Sequence, residues 1–207
     1  MIVIIDYGMG NVPSILNMIR KAGGNAIISS EPEVIEGACA LILPGVGSFD
    51  NAIEKLRKSG LEKIIKQRIL DDKVPFLGIC LGMHLLFDSS EEGNQKGLGL
   101  IPGLVKRFDF SDASMKSLKI PHMGWNLVIP KARCKLFHDL GNEPRFYFVH
   151  SYHVVCEDPT HQVATSFYGY DFACAIQKDN IYAVQFHPEK SHKFGMKLFR
   201  NFLGNIC

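Results

Sequence analysis

The residues best suited to chemistry in this chain begin with a cysteine framed by glycines, Gly78-Ile79-Cys80-Leu81-Gly82, inside the stretch PFLGICLGMHLLFD. Phe76, Leu77 and Ile79 after Pro75 read as a strand buried on both faces, and Leu81, Leu85 and Leu86 recur at helical spacing. Cys80 therefore falls where strand becomes helix. Glycines two residues away on either side let a nucleophile occupy a tight, strained turn with its side chain exposed, and a helix N-terminus favours thiolate over thiol. Such a cysteine needs a base, a group that orients the base, and donors for an oxyanion.

Gln185-Phe186-His187-Pro188-Glu189 offers the first two. It follows the apolar strand Tyr182 to Val184, so His187 is expected at a strand end, with Glu189 able to orient the imidazole as the acid of a serine triad does. The oxyanion donors are expected from the Leu81 amide and from the loop Pro44-Gly45-Val46-Gly47, where glycines let a backbone N–H point into a site.

The elements that must position these groups alternate. Strands are expected at Ile2 to Ile5, Ala26 to Ile28, Ala40 to Leu43 and from Phe76. Helices are expected from Pro13, from Glu31-Pro32, over Phe49 to Arg57 and over Leu61 to Leu70. This is an α/β pattern, a mostly parallel central sheet flanked by helices, whose ligands sit beyond the carboxyl ends of the strands. After Asp88 the texture changes. Leu104 to Phe108, Leu127 to Ile129, Phe146 to Val149, His153 to Cys156 and Ala173 to Gln177 read as extra strands, before Tyr182 to Gln185 and a last helix from Lys193 to Leu203. Gly8-Met9-Gly10 lacks the third glycine of a dinucleotide fingerprint, since Pro13 stands there, so this loop reads as a turn or a partner-facing loop.

With 207 residues, 46% of them hydrophobic, the chain is expected to be one domain over residues 1–207. Its 23 basic and 21 acidic residues are spread along the sequence, for a net charge of +2, which gives no footprint for nucleic acid or an anionic membrane. The start MIVIIDYG lacks the features of a signal peptide and no apolar run reaches about 18 residues, so a cytoplasmic location is expected. Six cysteines without CxxC spacing imply free thiols, no metal site and no cofactor.

PGVGSF, GICLGM and FHPEKS, in this order and spacing, resemble the class I, triad-type glutamine amidotransferases, a flavodoxin-like family. DYGMGN, PHMGWN and YFVHSYH narrow the resemblance to the glutaminase subunits of imidazole glycerol phosphate synthases, over nearly the whole chain. The resemblance implies hydrolysis of L-glutamine by Cys80, His187 and Glu189, an oxyanion hole at Gly47 and Leu81, and a substrate pocket of Gly45, Gly78, Gly82, His84, Ser151 and Tyr152. It also implies that the ammonia passes to a (β/α)8-barrel cyclase subunit or, in paralogues, to a sugar amidotransferase for surface polysaccharide, with Asn11, Trp125 and Lys190 at the subunit interface. One residue departs from the pattern. Relatives usually carry Gln where this chain has His84, one turn past Cys80, and that Gln contacts the bound glutamine.

Overall fold

In a computed structural model, which describes residues 1–131 and 134–207, strand and helix alternate through the first half. The order is β1 (Ile2–Ile5), α1 (Val12–Lys21), β2 (Ala26–Ser29), α2 (Pro32–Glu36), β3 (Ala40–Gly45), α3 (Phe49–Lys58), α4 (Leu61–Leu70), β4 (Phe76–Cys80) and α5 (Leu81–His84). The second half is β5 (Ser89–Ser90), β6 (Gly103–Arg107), β7 (His122–Leu127), β8 (Ile129–Pro130), β9 (Arg145–His150), β10 (Tyr152–Cys156), β11 (Gln162–Tyr168), β12 (Tyr170–Lys178), β13 (Ile181–Val184) and α6 (His192–Asn205).

Five strands run parallel in the order β2-β1-β3-β4-β13, and the sheet continues through antiparallel β12, β10 and β6. The apolar runs explain the parallel part, because a strand covered on both faces needs no polar alternation. Val3 and Ile5 pack with α2, α3 and α4 on one face, while Ile2 and Ile4 pack with α1 and α6 on the other. The carboxyl ends of β3, β4 and β13 consequently share one edge.

Four strands depart from the expectations: β5 and β11 fall where none is expected, and the strand expected from Leu127 to Ile129 is split at Val128 between the end of β7 and the start of β8. β7, HMGWNL, mixes polar, exposed and half-buried positions and pairs with β9 in a separate two-stranded sheet, so it carries no clean period. β11, QVATSFY, is similarly mixed and includes register irregularities against β12. The helix after Cys80 is also shorter than the leucine spacing predicts. Only four residues are helical, and the carbonyls of Leu85 and Leu86 accept from the backbone of Leu98, Leu100 and Ile101 instead of continuing the helix. Leu85, Leu86 and Phe87 are fully buried in this turn, so tertiary packing ended a helix that periodicity would have extended.

Between the main sheet and the small one lies a buried polar chain. His150 donates from Nδ1 to the Tyr152 carbonyl at 2.7 Å, which leaves its Nε2 to accept from His122 Nδ1 at 3.0 Å. His122 Nε2 then accepts from the Asn126 amide at 3.1 Å. Each bond assigns one proton per ring, so both imidazoles are neutral. Burial holds His122 down to about 4, His150 well below the ordinary value, and His153 in the same direction.

These histidines take up protons on unfolding, so stability is present above about pH 6.5 and lost as pH falls toward their folded values. Each contributes a slope of about 1.4 kcal/mol per pH unit where it is charged only in the unfolded state. Denaturant midpoints measured from pH 7 to 4.5 are expected to fall with an uptake of about two or more protons, and replacing His122 by Gln is expected to flatten that slope.

Candidate active site

The site is built where β3, β4 and β13 end. Cys80 closes β4 with φ 54° and ψ −111°, a conformation an L-residue holds only when its surroundings impose it. Those surroundings are three glycines. A Cβ on Gly82 would overlap the Leu43 carbonyl, one on Gly78 would stand 2.8 Å from the Gly82 carbonyl, and one on Gly45 would stand 2.8 Å from Tyr7 Oη. Gly45 lies level with Cys80 in the β3–β4 register, so the turn is pressed directly against the neighbouring strand. Tyr7 in turn donates from Oη to the Pro44 carbonyl at 2.8 Å, tying the loop after β1 to the carboxyl end of β3.

His187 is set by backbone as well as side chain. Its N–H donates to the Tyr147 carbonyl of β9 at 2.9 Å, and Ser191 Oγ donates to its carbonyl at 2.6 Å. Pro188 starts a short 3-10 turn over Pro188–Lys190 that carries Glu189 back over the ring. The imidazole donates from Nδ1 to Glu189 Oε1 at 2.8 Å, with both side chains almost fully buried. Burial opposes a charge on His187, but the Cys80 sulfur beside it and the Glu189 carboxylate outweigh burial and raise it to about 10. The sulfur and the carboxylate thus favour the protonated ring. Nε2 has no hydrogen-bond partner among the described residues and can carry a proton to or from a group attached at Cys80.

A cavity of about 320 Å³ opens on Cys80 and His187, with Gly47, Leu81, His84, Ser151 and Tyr152 also on its wall. These are all residues expected in the site. Gly45, Gly78 and Gly82 do not line the cavity, and their role visible here is to admit close backbone contact. Asn11 and Trp125 are exposed, and Lys190 lies over the Tyr147 ring at 5.8 Å.

The cavity also exposes residues that sequence reasoning missed. Glu92 projects from the polar loop after β5, and its Oε2 accepts from the Phe49 N–H at 3.0 Å. Burial and nearby Asp50 push its carboxyl up despite that bond. Val46, Pro121, Val149 and His150 complete the wall. Glu92 lies in a polar stretch with several acids, which gives no signal of its own; only the fold of that loop over α3 brings it in.

A strained cysteine at a strand end, with a histidine and a carboxylate aligned behind it, defines an enzyme of the thiol acyl-transfer class on a doubly wound sheet. The chain matches the family described as glutamine amidotransferase class-I over residues 3–206, and it belongs to that family. It is 56% identical over 203 residues to the imidazole glycerol phosphate synthase subunit HisH 2 of Methanococcus maripaludis, covering 98% of each chain. It is 49% identical over 208 residues to the HisH subunit of Synechocystis, covering 100% of this chain and 97% of that one. Among solved structures it superposes on PurLQS from Thermotoga maritima with a TM-score of 0.72 at 16% identity, covering 100% of this chain and 98% of that one. A crystal structure described as a glutamine amidotransferase gives a TM-score of 0.70 at 21% identity, covering 97% of this chain and 96% of that one. Both share the fold.

The His187 charge stabilises the fold fully below about pH 6.5, and that contribution disappears as pH rises through about 10. Glu189→Gln removes one of the two partners that hold the charge. Thermal unfolding from pH 7 to 10.5 is expected to lose less stability in Glu189→Gln than in the native protein, and glutamine turnover at pH 8 to fall by about a hundredfold or more.

Proposed function

We propose that this chain is the glutaminase subunit of an imidazole glycerol phosphate synthase, hydrolysing L-glutamine to L-glutamate and ammonia for histidine biosynthesis. The observation that carries the reading is a cavity that brings Cys80 and His187 together, with Glu189 bonded behind the His187 ring and a second carboxylate, Glu92, on the cavity wall. A free amino acid carries an ammonium group, and Glu92 is the acidic side chain of that wall suited to receive it.

The steps follow from the placement of the groups. The Cys80 thiolate attacks the side-chain carbonyl carbon of glutamine, and the negative charge that builds on oxygen is met by the backbone N–H groups of Leu81 and Gly47. His187 gives its proton from Nε2 to the departing nitrogen, ammonia leaves, and a γ-glutamyl thioester remains. The neutral ring then takes a proton from water as that water attacks the thioester. Glutamate departs, the sulfur returns to thiolate and His187 returns to imidazolium. Glu189 holds the ring orientation and its charge throughout.

The ammonia goes to a cyclase subunit, which we take to be a (β/α)8 barrel. The HisH names of the relatives favour that partner over the sugar amidotransferase kept as the alternative. Met123 and Trp125 project from one face of β7 with 62% and 46% exposure, and Val46 at the cavity rim is 44% exposed. Trp125 stacks on His192 at 5.4 Å, which holds a large apolar surface rigid for docking. Asn11 and Lys190 are assigned to the same contact.

Three outcomes check this reading. Cys80→Ala is expected to abolish glutamate release and covalent capture of a diazo-ketone analogue of glutamine, followed by intact-protein mass; capture at another residue would refute the assignment. Glu92→Gln is expected to raise KM for glutamine about tenfold or more with a smaller change in kcat. Trp125→Ala is expected to weaken association with the co-purifying cyclase about thirtyfold in calorimetry, and recovery of a sugar amidotransferase in its place would overturn the pathway assigned here.

A further inference from the structure

His84 occupies the cavity wall, yet its polar contact is directed inward. It is 4% exposed, and its Nε2 stands 2.8 Å from Oε1 of Gln185, a residue with no exposure. The other end of that carboxamide, Nε2, faces the Cys80 sulfur at 3.9 Å. Register explains how the three meet. β13 lies parallel beside β4 with Val184 level with Ile79, so the residue after Val184 falls level with Cys80. His84 returns to the same spot one helical turn beyond Cys80.

We propose that His84 and Gln185 form a positioning pair for the nucleophile, in which His84 fixes the Gln185 carboxamide so that its NH2 group donates to the Cys80 sulfur. The direction of donation follows from the sulfur. A thiolate has only lone pairs to offer, so the amide must turn its donor end to it and its acceptor end to His84. His84 then carries its proton on Nε2, and burial keeps that ring neutral, with its pKa lowered to about 4.

The other titratable groups near the pair do not compete for this role. From the second half of the sheet His153 acts on His84, and His84 in turn acts on His150; burial lowers the pKa of both partners. Tyr7 and His187 flank Cys80 from the loops after β1 and β13, and Tyr7 is held protonated by burial and by the sulfur. Glu92 lies on the cavity wall. The sulfur bears negative charge twice in a turnover, before attack and again as the thioester breaks. His187 gives up and regains its proton between those two moments, and the Gln185 amide remains a fixed donor through both.

The pair rests on the glutaminase reading for its kinetic consequence alone, because thiolate reactivity is measured without glutamine. The test is the rate of iodoacetamide alkylation at Cys80 in the full-length protein, read by peptide mass spectrometry from pH 5 to 9. Gln185→Glu, which keeps the shape and replaces the donor by a carboxylate, is expected to slow alkylation at pH 7 about tenfold or more and to move the profile to higher pH. Gln185→Leu is expected to slow it by a similar factor. His84→Leu is expected to slow it severalfold, and His84→Gln, which restores a side-chain donor to Gln185, to recover most of that loss.

In glutamine turnover with the partner bound, Gln185→Leu is expected to lower kcat about tenfold with KM within about threefold, since Gln185 is not on the cavity wall. Alkylation profiles unchanged in a folded Gln185→Glu protein, or an effect confined to KM, would overturn the proposal. A native protein that alkylates as expected but releases no glutamate with any partner would refute the glutaminase reading and leave the positioning pair standing.

Discussion

The structure depends on one close approach, the backbone of Gly82 against the carbonyl of Leu43, where no side chain can intervene. That contact draws the chain leaving β4 tightly against β3 and forces Cys80 into positive φ. An L-residue in such a conformation costs about 1–3 kcal/mol and persists only when packing over-determines it. The packing here is the sheet itself: β4 is fully buried between β3 and β13, and Leu81, Met83, Leu85 and Leu86 fill the space beneath the turn. The strain is thus held by the most deeply buried part of the molecule. Its product is a sulfur at the rim of a cavity instead of inside a core.

The same side-chain type is driven in opposite directions by what faces it. His187 is as buried as His84, but it has a carboxylate on Nδ1 and the Cys80 sulfur beside it, which raise its pKa and favour the protonated ring. His84, His122 and His150 face neutral amides, carbonyls and one another, so burial keeps them uncharged. Burial by itself disfavours charge in every case; a fixed anion decides the exception. Neutral rings beside the cavity also mean that the sulfur and His187 are not perturbed by a second positive charge from the second half of the sheet.

The small sheet of β7 and β9 connects the outer face to this machinery. Trp125 is level with Tyr147 in the register, and the Tyr147 carbonyl accepts the His187 N–H. An exposed aromatic side chain and the backbone of His187 are therefore held by adjacent strands. A partner seated on Trp125 would bear on a strand that fixes His187, which gives docking a physical route to the site.

Much of this was readable in the residues. Apolar β-branched runs separated by amphipathic segments require parallel strands covered on both faces, and a ligand edge at the carboxyl ends of those strands follows from that alternation. Glycines about Cys80 and the His-Pro-Glu segment after an apolar strand mark a candidate nucleophile and a candidate base because those chemistries need those local shapes. β7, β11, the arrest of α5 after one turn and the arrival of Glu92 were not readable, since their patterns are mixed and their partners lie far away in sequence. The meeting of Gln185 with Cys80 belongs to the same class. The sequence by itself determined which residues could react, because reactivity and local backbone shape are properties of short segments. Only the tertiary structure decided which of them meet, because that depends on strand order and register: β13 lies beside β4, and Gln185 therefore lies beside the sulfur.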